Sequence, residues 1–115
     1  ATPTGEFRIN WINEESRFHI FLGLDYPTLD HAQEALAAGI LSRPEFYDYL
    51  THYRRHGSPH QDTVLGGNIG IHGLGDADPQ IHRRFHWTEG CVAVTNEQIE
   101  KLAKLVRLGT KVIIR

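Results

Sequence analysis

Apolar and polar residues alternate from Glu6 to Ile12, with Phe7, Ile9 and Trp11 in phase, which predicts a β-strand entered from the turn Thr2-Pro3-Thr4-Gly5. A second strand is expected over 17–24. There Phe18, Ile20, Leu22 and Leu24 share one face and His19, Phe21 and Gly23 the other, so both faces are partly covered. Tyr26-Pro27 ends it. The period then becomes helical over 28–38, with Leu29, Ala32, Leu36 and Ile40 near one face and Gly39 in a C-terminal cap position. Ser42-Arg43-Pro44-Glu45 reads as a capping box opening a second helix, which carries Phe46, Tyr49, Leu50 and Tyr53 and stops near Gly57. Positions 64–72 are glycine-rich and apolar and predict a buried strand closing on Asn68-Ile69-Gly70-Ile71-His72, with a loop over 73–85. Thr95-Asn96-Glu97-Gln98 is a second capping box. Its helix should turn Ile99, Leu102, Ala103, Leu105 and Val106 toward a core until Gly109 stops it, and 111–115 should form a closing strand. Strands interrupted by short helices, without repeats or linkers, predict a β-rich α+β domain.

Composition narrows the classes of function. A chain of 115 residues fits one domain able to bury a core unaided. With 40% hydrophobic and 23% charged residues it is of ordinary globular make-up. The net charge of -2 offers no basic surface to collect phosphates, so nucleic acid is not an expected partner. No apolar run approaches the roughly 18 residues needed to span a bilayer, so no transmembrane segment is expected, and no leader precedes the first strand. The chain opens on Ala1 and contains no methionine, so an upstream segment, with any targeting signal, is expected to have been removed.

Cys91 is the single cysteine and cannot form an internal disulfide. It is a free thiol, a small buried hydrophobe, a metal ligand or a nucleophile. A nucleophilic thiol needs a base or a positive field and partial access to solvent. Gly90 lets the backbone bend sharply just before it, and such a bend can aim successive N–H groups at one spot, as an oxyanion requires. The following helix starts several residues on, beyond the useful range of its dipole, so a base is needed. His72 is the candidate, since it ends an apolar strand, where a polar ring is costly unless it has a partner. Taken singly, a satisfied core histidine and an inert cysteine are the plainer readings of both positions. Arg83 and Arg84 offer planar forks for substrate carboxylates, or else decorate a solvated loop. Thr88 and Trp87 complete the candidate substrate-facing set, Trp87 reading more simply as packing under the Cys91 loop. The aromatic series Phe46, Tyr47, Tyr49 and Tyr53 reads as helix packing.

In combination the motifs are more specific. Ile71-His72-Gly73 followed by Thr88-Glu89-Gly90-Cys91, with fifteen residues between His72 and Thr88, resembles the signature of the L,D-transpeptidase catalytic domain, the YkuD family. Thr2-Pro3-Thr4-Gly5-Glu6-Phe7 resembles that family's Thr-Pro-x-Gly-x-Phe/Tyr opening strand, and Ser16-Arg17-Phe18-His19 with Asp25-Tyr26-Pro27 the strand after it. The resemblance covers nearly all of 1–115, least at 28–62. It implies a mixed β-sandwich or barrel with short inserted helices, lacking further N-terminal strands that family domains usually carry. It also implies an enzyme of the bacterial cell envelope, in the periplasm, acting on peptidoglycan stem peptides without cofactor or metal. By that resemblance Cys91 attacks a stem-peptide carbonyl, His72 serves as base and then acid, the Gly73 carbonyl orients the other ring nitrogen, and Gly90 and Cys91 N–H groups hold the oxyanion. An amine resolves the thioester in a transpeptidase, and water does so in a carboxypeptidase or amidase. This chain has Glu89 before Gly90, and Ala93 where the commonest pattern has Arg or Asn; the form Trp-Thr-x-Gly-Cys is similar to a proteobacterial branch that includes both transpeptidases and hydrolases.

Two other classes compete. His72, His82, His86 and Cys91 could surround zinc, as imidazole and thiolate suit it, although no helix is indicated where His82 and His86 stand four apart. A non-catalytic peptidoglycan-binding module is the third class, and it has no need of both His72 and Cys91.

Overall fold

The fold is that of a computed structural model, which describes residues 1–76 and 90–115. Among these the elements run β1 (Gly5–Ser16), β2 (His19–Leu24), α1 (Leu29–Ala37), α2 (Arg43–His56), β3 (Gly70–His72), β4 (Val92–Ala93), α3 (Asn96–Leu105) and β5 (Lys111–Ile114). The architecture is mixed α+β and rich in strand, as the element pattern predicts. The chain divides into two compact units, one of Ala1–Leu24 with Ile69–Arg115 and one of Asp25–Asn68.

The first unit holds a five-stranded sheet in the order β4-β3-β2-β1-β5. β1 is antiparallel to β2 and to β5, β2 is antiparallel to β3, and β3 runs parallel to β4. The alternation of β1 is realised up to Ile9: Phe7 and Ile9 are each 1% exposed. Trp11 is 54% exposed. The reason is a bulge, since Ile9 pairs with Leu24 and Trp11 with Gly23, two residues on β1 against one on β2. The bulge moves the phase by one, so Ile12, opposite Leu22, inherits the inner face and Trp11 lies tilted against Phe21 with ring centroids 5.5 Å apart. Both faces of β2 are covered from Phe21 to Leu24, in line with the sequence pattern.

α3 opens on the predicted capping box: Thr95 accepts from the Gln98 backbone and Gln98 reaches back to the Thr95 N–H. It packs on β2 and β3, with Ile99 fully buried. The expected stripe is cut short. The chain turns extended at Val106, leaving Leu105 82% exposed, and Gly109 serves in the turn into β5 rather than as the helix stop. That turn is pinned to β1 by Gly109 N–H to the Ile9 carbonyl and Ile9 N–H to the Thr110 carbonyl.

In the second unit, α1 is capped by Thr28 and α2 by the Ser42/Glu45 box with Pro44 in its first turn and left-handed Gly57 at its end. Ala32, Ala35, Leu41 and Tyr49 form its core, with Phe46, Leu50, Tyr53 and Leu65 packed around them. The strand expected over 64–72 is confined to Gly70–His72. Upstream of it the chain turns through Thr63–Gly66, Asn68 takes a positive φ of 55°, and the Gln61 side chain accepts from the Asn68 N–H at 2.6 Å while donating to the Tyr26 carbonyl. These local bonds outcompete a ladder. Tyr49 donates its hydroxyl to the Pro27 carbonyl at 2.6 Å in a buried setting. Tyr49→Phe strands that carbonyl and is expected to lower unfolding free energy by about 1–2 kcal/mol in chemical denaturation; the exposed Tyr47→Phe should leave it unchanged.

Candidate functional site

The site is assembled at the β4 side of the sheet. Phe21 pairs with His72 and Gly23 with Gly70 across β2 and β3, while Ile71 pairs with Val92 and His72 with Ala93 across β3 and β4. Side chains paired in a ladder share a face, so Phe21, His72 and Ala93 lie on one side and Ile71 and Val92 on the other. Cys91 directly precedes Val92, and one step back in register stands beside Gly70. The Gly70 backbone accordingly hydrogen-bonds the thiol. Imidazole and thiol thus come from neighbouring strands, about 5 Å apart sideways and two residues apart along the strand.

His72 is 2% exposed, in keeping with its place at the end of an apolar strand. Its ring stacks on Phe18, centroids 4.4 Å apart, and lies nearly parallel to Phe21 at 6.0 Å. Its Nδ1 lies 2.6 Å from the Gly73 carbonyl. A carbonyl oxygen only accepts, so Nδ1 carries the hydrogen, and in a neutral ring Nε2 then holds the lone pair. The hydrogen bond offsets the cost of taking a polar ring out of water, and the two phenyl rings fix its plane. The hydrogen bond therefore meets the needs of Nδ1 in the buried ring.

Cys91 is half-buried. Burial pushes its thiol above the usual range, and the Gly70 backbone hydrogen bond works against that shift. Gly90, buried just before it, has φ 99°, a conformation side chains rarely adopt, and a Cβ there would stand 2.9 Å from the Ile69 Cδ1. The bend expected before Cys91 is present. At Gly70 a Cβ would fall 2.6 Å from both the Leu22 carbonyl oxygen and Phe21 Cζ, so this glycine makes the room that Phe21 uses beside His72.

The structure brings His72, Gly73, Gly90 and Cys91 into one region of the first unit. Arg83, Arg84, Trp87 and Thr88 lie outside the described residues, as do His82 and His86 of the zinc alternative. Among the described residues no three His, Cys, Asp or Glu side chains gather as metal ligands. Four residues of the site escape the sequence reading: Phe18, Phe21, Gly70 and Asn96. Phe18 and Phe21 read there only as strand residues, and Asn96 only as part of a capping box. A second cap-favouring side chain directly after Thr95 is the available signal, since one cap needs one such residue. Asn96 Oδ1 in fact accepts from the Leu74 and Gly75 N–H groups and its Nδ2 donates to the Gly75 carbonyl, each at 2.9 Å.

A strand-borne histidine bonded to its own following carbonyl, beside a cysteine that follows a bent glycine, agrees with the comparison of the whole sequence against known families. Residues 1–114 match the L,D-transpeptidase catalytic domain, YkuD. The chain belongs to the L,D-transpeptidase catalytic-domain family. Among solved structures, the chain is similar to Bd1075 of Bdellovibrio bacteriovorus, with a TM-score of 0.62 and 20% identity over 100% of this chain. It corresponds to 33% of the length of that protein, and the likeness is one of fold. No curated protein matches the chain.

The packing at Gly70 makes a direct test of this candidate site. Gly70→Ala must displace Phe21 or the β2 backbone, with an expected loss of about 1–3 kcal/mol in denaturation and slower alkylation of Cys91 by iodoacetamide. Wild-type values for both would show that the space is not needed.

Proposed function

We propose that this domain carries out cysteine-dependent acyl transfer on peptidoglycan stem peptides through a thioester on Cys91. The observation that carries the proposal is the His72–Gly73 hydrogen bond, which leaves Nε2 as the basic nitrogen on the strand beside Cys91. In this reading the Cys91 sulfur gives its proton to His72 and attacks the carbonyl carbon of the diaminopimelate or similar residue in a tetrapeptide stem. The carbon–nitrogen bond to terminal D-alanine breaks, and the amine leaves with the proton that His72 returns. The N–H groups of Gly90 and Cys91 stabilise the tetrahedral oxyanion, for which the bend at Gly90 is suited. The Gly73 carbonyl takes the orienting role of the third triad member. An amine of a second stem then receives the acyl group; water in its place makes the enzyme an L,D-carboxypeptidase or amidase. Arg83, Arg84, Thr88 and Trp87 are proposed to face the stem peptide, the Trp-Thr-x-Gly-Cys form marks the branch, and the cell envelope is the place of action.

Digestion of purified peptidoglycan with mass analysis of the muropeptides tests the chemistry. Crosslinked dimers identify an amine acceptor and shortened stems identify water. Cys91→Ala is expected to abolish turnover with little change in stability, because one half-buried sulfur is a small packing loss; activity near wild type would overturn the proposal. A carbapenem should add its mass to Cys91, and an unchanged intact mass would count against a thiol enzyme of this family.

The pH dependence has a definite sign. Burial disfavours the thiolate, so without a base alkylation of Cys91 should rise only at high pH. His72→Ala removes the base and keeps the burial. The alkylation midpoint is therefore expected to move to higher pH, by about one unit or more; an unmoved midpoint would remove His72 from the reaction.

A further inference from the structure

We infer that Asn96 is a positioning residue for His72, acting through the peptide unit that joins Gly73 to Leu74. The inference rests on the reading above, in which His72 is the base for Cys91. The carbonyl of that peptide unit accepts from His72 Nδ1 at 2.6 Å, and its N–H donates to Asn96 Oδ1 at 2.9 Å. A trans peptide is a rigid plane whose C=O and N–H point in opposite directions. Asn96 and His72 thus hold opposite ends of one plate, and the plate cannot turn without breaking both bonds. Accepting at the N–H end also polarises the amide, which makes the Gly73 oxygen a stronger acceptor for the ring.

Three features fix Asn96 in this task. The second donor to Oδ1, Gly75 N–H, and the bond from Nδ2 to the Gly75 carbonyl settle which end of the side-chain amide faces which partner. The backbone of Asn96 is set by the Thr95/Gln98 capping box, which meets its own needs without the Asn96 side chain. Close approach is possible because position 73 is glycine: a Cβ there would stand 2.6 Å from Asn96 Oδ1 and 2.8 Å from the Phe18 carbonyl oxygen. Phe18 and Phe21 fix the plane of the imidazole, while the Gly73 carbonyl decides which nitrogen carries the hydrogen. Asn96 acts on the second of these.

The test compares Asn96→Ala, Asn96→Asp, Gln98→Ala and His72→Ala in the whole chain by three measurements. These are the pH profile of Cys91 alkylation by iodoacetamide, the Nδ1-bound proton resonance of His72 in histidine-labelled protein, and Tm. Asn96→Ala should slow alkylation at neutral pH about five- to tenfold, raise its midpoint and move the Nδ1 proton resonance upfield. Gln98→Ala weakens the cap of the same helix without touching the loop, so it should lower Tm and leave the profile and resonance as in wild type. Asn96→Asp keeps an acceptor for Leu74 and Gly75 while losing the donor to Gly75, and should recover part of the midpoint. It also stands in should Asn96→Ala fail to fold. Equal shifts in Asn96→Ala and Gln98→Ala would reduce Asn96 to a structural residue and overturn the inference, as would a wild-type profile in both Asn96 variants. His72→Ala separates this from failure of the acyl-transfer reading: if its midpoint does not move, that reading falls, whereas a shift in His72→Ala alone rejects only the role of Asn96.

Discussion

β3 is three residues long, and its pairing on both sides sets the position of every other part of the site. On one side it is antiparallel to β2, which lays Phe21 beside His72; on the other it is parallel to β4, which sets Cys91 beside Gly70. Each residue of β3 has its own task between the two neighbouring strands. Gly70 admits the Phe21 ring and offers its backbone to the thiol, Ile71 pairs with Leu22 and Val92 on the opposite face, and His72 carries the imidazole. A slip of one residue on either side would exchange faces and separate imidazole from thiol. Such a short strand cannot secure its own register, and the longer β1–β2 hairpin, with its ties to β5, supplies the frame.

Burial at this strand bears on both groups of the proposed pair. For His72 the apolar surroundings are tolerable because one nitrogen is bonded and two phenyl rings pack on the imidazole. For Cys91 the same desolvation disfavours the charged form, and the bond from Gly70 offsets only part of it. A thiol held this way is quiet on its own. In the proposed acyl transfer its reactivity depends on how well the imidazole is presented, which shifts the weight of the site from the cysteine to the orientation of the histidine.

How far this was legible in the sequence follows from the range of the interactions. Both capping boxes could be read because each involves four consecutive residues, and the hairpin strands because alternation is local. Trp11 breaks its predicted phase because a bulge is decided jointly with β2 and leaves no mark in β1 alone. The strand expected over 64–72 shrinks because glycines that fit a strand also fit the turns that Gln61 stabilises. Leu105 keeps the period of its helix but lies where the helix ends, and only the pinning of the following turn to β1 shows why. For the site, the residue types of His72 and Cys91 left inert readings open. Their juxtaposition depends on parallel pairing between segments twenty positions apart, which no local pattern encodes; the motif resemblance supplied what periodicity could not.

Asn96 shows the same limit at the scale of one residue. In the sequence it sits inside a capping box whose work belongs to Thr95 and Gln98, and its one local mark, a second cap-favouring side chain after Thr95, does not say which loop it serves. Its side chain is free for the loop because the cap is complete without it. Placing the clamp on the first residue of α3 has a physical advantage, since Ile99, one turn on, is fully buried where α3 packs on β2 and β3. The same helix that packs on the sheet therefore fixes the loop leaving it. An asparagine carried on a loop would have lost more freedom on bonding and held the Gly73 peptide less firmly. Orientation of the imidazole is in this way tied to a helix packed on the sheet rather than to the glycine-bearing loop that directly contacts it.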